Sequence, residues 1–137
     1  MFRALPLAAA LLLLAACGQA SGAGSSGTGS PTDLPSASVD GVGGQAVSYC
    51  WRTTCADGFP TSSAPRATTL RTLRVGAETS RVEIFVRRGP VTGFQQSGVA
   101  VSSDGRLGAI PGGQWDYLLA MVTFRDGGSA MYAWSLP

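Results

Sequence analysis

The sequence predicts an all-β fold: a single small antiparallel β-sandwich standing behind a leader and a linker. Three observations lead there. Apolar residues recur with a period of two rather than 3.6, most cleanly over residues 81–87. Asp104-Gly105 and Asp126-Gly127 sit between apolar runs, where tight hairpin turns need positive φ. Only 13% of the 137 residues are charged and 19 are Gly, which disfavours a helical bundle or coiled coil. No stretch beyond the leader reads as an amphipathic helix.

The chain opens on Met1-Phe2-Arg3, a short positive segment. Residues 4–16 are uncharged and broken only by Pro6. A bilayer span needs about 20 residues, so residues 1–16 fit the core of a signal peptide rather than a membrane helix. They end in Leu14-Ala15-Ala16-Cys17. Those four positions resemble the lipobox of bacterial lipoproteins. The resemblance implies that Cys17 receives a diacylglyceryl group, that the leader is cut before it, and that Cys17 becomes the first residue. It implies a partner, the lipid bilayer. It also implies a place, the extracytoplasmic face of the cell membrane, or the outer membrane in a diderm source. Two acyl chains hold a protein durably, at about 0.8 kcal/mol per buried CH₂. The alternative is ordinary secretion, with Gly18-Gln19-Ala20 as a small-x-small cleavage site.

Residues 17–44 read as a Gly/Ser/Pro-rich tether with almost no large apolar side chain. A flexible chain of that length spans about 29 Å root-mean-square. Within it Gly22-Ala23-Gly24-Ser25-Ser26-Gly27 spells G-x-G-x-x-G, but neither the strand nor the helix of a dinucleotide fold flanks it.

The sandwich is expected over residues 45–137, from six or seven strands. Residues 46–51 form an apolar-aromatic run. Residues 69–75 alternate. In residues 81–87, Val82, Ile84 and Val86 point one way and Arg81, Glu83 and Arg87 the other, with Phe85 the exception on the second face. Val99 and Val101 keep the period of two. Residues 115–124 are apolar on both faces, as a central strand requires. Residues 131–136 close the chain with Tyr132, Trp134 and Leu136 on one face. Gly76, Gly89-Pro90 and Pro111-Gly112-Gly113 mark further breaks. The sequence of Pro111-Gly112, Tyr117-x-Leu119-x-Met121 and Gly128-x-Ala130-x-Tyr132-x-Trp134 resembles the end of extracytoplasmic immunoglobulin-like domains. The resemblance implies a Tyr-bearing strand that hairpins into the last strand; it speaks to fold, since this architecture hosts unrelated roles.

With Cys17 acylated, Cys50 and Cys55 remain, an even pair in an oxidising compartment. They are expected to form a disulfide around Trp51-Arg52-Thr53-Thr54, worth about 2 kcal/mol by chain entropy. A redox pair would favour two intervening residues rather than four, and a zinc site lacks further ligands, since the chain has no His. The candidate binding residues are Tyr49, Trp51 and Arg52, because aromatics and Arg anchor interfaces. A Trp beside a disulfide also packs as core, so both readings of Trp51 stand.

Seven arginines against three acids between Arg52 and Arg88 give a local +4. It fits a solvated strand face or attraction to an anionic partner. The overall +2 is no mark of nucleic-acid binding. Catalysis finds no carrier: G-x-S-x-G is absent, and there is no Lys for S-x-x-K or a Schiff base. Asp57, Asp104 and Asp126 each precede Gly as turn formers. The functional expectation is a membrane-anchored lipoprotein presenting a non-catalytic binding or accessory domain in the cell envelope. It would need no cofactor or metal, and its partner would be an envelope protein or polymer, not nucleic acid. The alternatives are an extracytoplasmic enzyme or thiol-redox protein using carboxylates or Cys50/Cys55, and a secreted inhibitor-like domain.

Overall fold

Period-two alternation builds strands, and the computed structural model, which describes residues 31–89 and 95–137, contains no helix among them. The strands are β1 (Ala37–Val39), β2 (Val42–Gly43), β3 (Gln45–Trp51), β4 (Thr54–Ala56), β5 (Leu73–Val75), β6 (Thr79–Arg88), β7 (Gln95–Val99), β8 (Tyr117–Phe124) and β9 (Ser129–Ser135). They form a small sheet ordered β2-β1-β5 and a large one ordered β4-β3-β9-β8-β6-β7. Every ladder is antiparallel. The division into six and three strands differs from the four and three of a constant-type immunoglobulin domain. The leader, Cys17, the 22–27 decoy and Pro90 lie outside the described residues.

The core lies between the sheets. Ala37, Val39 and Leu73 come from the small sheet; Ile84, Val86, Leu118, Val122, Phe124, Tyr132 and Trp134 come from the large one. As its two-faced apolar run requires, β8 is central, paired with β6 and β9. The turn Asp126-Gly127-Gly128 joins β8 to β9, and Asp104-Gly105 folds back so that Gly105 O accepts Leu73 N at 2.8 Å.

Four expectations need correction. The folded unit does not start at residue 45: β1 and β2 precede it, and Val39 is fully buried. Here Asp40-Gly41 makes a two-residue hairpin turn, both residues at positive φ (47° and 86°), between the paired Val39 and Val42. Of residues 69–75, only Leu73–Val75 is strand. The 69–71 backbone turns instead around Asp40, whose carboxylate accepts Arg71 N at 2.9 Å and Thr72 N at 3.0 Å. Those backbone N–H groups, Arg71 first, hold the Asp40 carboxyl below its usual range. Val101 does not extend β7 but bridges Leu107. Arg87 is not solvated: it is 6% exposed, because residues 57–62 fold over it.

Two aromatics on β9 tie the small sheet to the large one. Trp134, fully buried, donates its indole N–H to Val42 O at 2.8 Å. Tyr132 donates its hydroxyl to Pro35 O. Between β2 and β3 the chain changes sheets at Gly44, against the Trp134 ring: a Cβ there would lie 2.5 Å from Cζ2. Only glycine lets the backbone pass so close.

Gly44→Ala is therefore expected to cost about 1–3 kcal/mol through overpacking, read as a lower urea midpoint at unchanged m-value. Burial pushes the Tyr132 phenol up to about 12. The folded state thus favours the neutral form. Its contribution is whole below the unfolded value near 10 and is lost as pH rises towards about 12, roughly 2–3 kcal/mol in all. Urea midpoints should fall across that window, and Tyr132→Phe should flatten the fall.

Candidate functional site

The β3–β4 hairpin carries every binding residue read from the sequence, and strand alternation divides them. Cys50 and Cys55 are directly opposed in the ladder, and a disulfide joins them with Cα atoms 4.1 Å apart. Both are exposed, on the outer face of the large sheet. Tyr49 and Trp51 point the other way and pack against the inter-sheet core. Trp51 meets Phe124 edge-on, centroids 5.1 Å apart. Its buried indole N–H has no acceptor among the described residues. Arg52 sits on the turn at φ 54°, a left-handed conformation that β-turn tips impose. Its guanidinium lies 5.9 Å from the Trp51 ring and pairs with Asp33 at 2.9 Å. The β8–β9 turn presses on the same place. A Cβ on Gly128 would come within 3.0 Å of Trp51 Cε3 and 2.8 Å of Cys50 O. What remains between the two tips is a recess of about 350 Å³ lined by Trp51, Arg52, Asp126, Gly127 and Gly128. The sequence cluster is thus a wedge at one end of the sandwich, with Trp51 as an edge-of-core residue.

The structure gathers a second set that the sequence reading did not single out. The outer face of the large sheet carries its own apolar cluster: Val47, Leu119 and Ala133, flanked by Phe85, Tyr117 and Met131. Met121 stands beside them in the ladder, between Glu83 and Met131, and is 37% exposed. The signal was in the sequence: Phe85 broke the alternation of its strand, and 115–124 was apolar on both faces. At the far end of this face the 57–62 segment crosses the sheet. Ser48 Oγ donates to Asp57 Oδ1 at 3.0 Å, and the Phe59 ring, 56% exposed, lies 5.7 Å from the Arg87 guanidinium. A hollow of about 530 Å³ opens there, lined by Phe59, Thr61, Arg87, Asp116, Tyr117 and Leu136 among others.

Most carboxylates have a partner, and the four ion pairs lie at the surface. Asp33, Glu78, Glu83 and Asp104 pair with Arg52, Arg125, Arg81 and Arg106. Asp40 caps the 71–72 backbone, Asp57 takes the Ser48 hydroxyl, and Asp116 Oδ2 accepts Gly89 N at 2.6 Å. Among the described residues no three metal-ligating side chains converge. Comparison of the chain with protein-family models, with curated proteins and with solved structures returns no match.

Because Trp51 packs on Phe124, Trp51→Ala should cost about 3–5 kcal/mol of folding stability, measured by urea denaturation. Arg52→Ala removes an exposed ion pair and should cost under about 1 kcal/mol.

Proposed function

We propose that this chain is a lipid-anchored protein of a bacterial envelope whose β-sandwich serves as a non-catalytic binding or accessory domain. The observation that carries the reading is Leu14-Ala15-Ala16-Cys17 ahead of a folded sandwich. Phe59 and Met121, the large apolar side chains left exposed among the described residues, support contact with an envelope protein or polymer.

Among the described residues β1, starting at Ala37, is the first strand after Cys17. The Asp33–Arg52 pair puts the chain's entry at the end holding the β3–β4 and β8–β9 tips. The hollow beneath Phe59 lies at the opposite end of β8 and β9.

The test is the intact mass of protein purified from the membrane fraction, with thiol alkylation and no reductant. The expected species begins at acylated Cys17 and takes up no alkyl group. Cys17→Ser should then release the protein from the membrane fraction. An unacylated chain starting near Ser21 would favour the secreted reading, and alkylation at Cys50 or Cys55 the thiol-redox one.

A further inference from the structure

Strands at the edge of a sheet leave a row of backbone N–H and C=O groups unpaired, and proteins guard such edges. Three of the four edges here are guarded. β4 is three residues long and tied down by the Cys50–Cys55 disulfide. β2 is two residues long. The free side of β5 is occupied: Leu73 N bonds Gly105 O, Leu107 N bonds Arg71 O, each at 2.8 Å, and Thr72 bridges Arg106.

β7 has none of these guards. It is five residues long and pairs with β6 without a register shift. Its sequence, Gln95-Gln96-Ser97-Gly98-Val99, holds no charge and no proline. Among the described residues nothing pairs with its outer side. The face is also open there: Gly98 lies opposite half-buried Phe85, and a Cβ on Gly98 would meet nothing within 4 Å.

We propose that β7 is a docking edge for a second copy of this chain, joined by antiparallel β7–β7 pairing about a two-fold axis. Centring the axis on Ser97 pairs all five residues. It sets Gln95 against the partner's Val99 and Gln96 against the partner's Gly98, so no charge opposes a like charge. The partner's Gln96 side chain fills the gap beside Gly98, over the edge of Phe85. Arg87 and Arg88 pair with Gln96 and Gln95 on β6, so the two-fold carries the two copies' arginine pairs to opposite ends of the joint ladder. Self-pairing is thereby favoured over capture of a charged peptide, for which β7 offers no complementary charge. The inference is independent of the lipid anchor.

Ser97→Cys in the purified full chain, oxidised in solution without reductant, tests it. Opposed thiols at the axis should yield a disulfide-linked dimer band that is lost on reduction. The parent chain controls for Cys17, and Ser103→Cys, on an exposed loop, controls for random collision. Ser97→Lys and Ser97→Glu should each abolish the dimer seen by chemical crosslinking of the otherwise parent chain. Co-expressing the two should restore it as a mixed dimer, which a folding defect could not do. A Ser97→Cys chain that stays monomeric, or dimerises no more than Ser103→Cys, overturns the proposal. So does crosslinking of Ser97→Cys to a different protein, which would assign the edge to a strand from elsewhere.

Discussion

The sandwich depends on how β9 satisfies its two large aromatics. A buried indole N–H must find an acceptor or forfeit about 1–3 kcal/mol, and the core between two sheets offers few. Trp134 finds one in Val42 O, on an edge strand of the opposite sheet. Tyr132 finds another in Pro35 O, just ahead of β1. The three strands of the small sheet are too short to hold together alone. They are ordered because the large sheet supplies both the apolar surface and these two donors. Burying an indole of about 200 Å² is worth about 5 kcal/mol, and it requires Gly44 so that the backbone can pass the ring.

That dependence explains what was legible in the sequence and what was not. Local alternation revealed β6 and β9, because their side-chain period of two survives whatever surrounds them, and β8 showed as a run apolar on both faces. Asp-Gly pairs revealed the turns after residues 103 and 125. The same rule applied to Val39-Asp40-Gly41-Val42 would have found the first hairpin. It was hidden because β1 and β2 are three and two residues long and sit in a Ser/Gly-rich context that resembles linker. Contacts from far along the chain turn that stretch into structure: β5 and the Asp40 cap about thirty residues on, and Trp134 and Tyr132 about a hundred residues on.

The candidate site was legible in part for a different reason. The cross-strand opposition of Cys50 and Cys55 follows from a two-residue turn, a local fact. Tyr49, Trp51 and Arg52 look like one cluster in sequence, yet alternation and the turn send them to a core edge and a solvent tip. Arg87 was misread because its burial is not a property of its strand. It comes from the 57–62 segment laying Phe59 over the guanidinium from thirty residues away in sequence. Phe85 did carry a signal, since an apolar residue out of phase on an otherwise alternating strand marks a second covered face.

The large sheet is therefore asymmetric. At its β4 end a covalent bridge closes the last ladder rungs, and an exposed ion pair joins the turn to the incoming chain. At its β7 end an uncharged strand finishes the sheet beside a glycine that leaves its neighbour's ring uncovered. A protein that spends a disulfide on a three-residue strand has the means to protect an edge. The five-residue strand at the other side bears no charge, bulge or proline, and none of the described residues pairs with its outer side. Pairing two copies through this edge would run the two large sheets into one, with Phe85 and Met121 of each copy on the same outer side of the joint ladder.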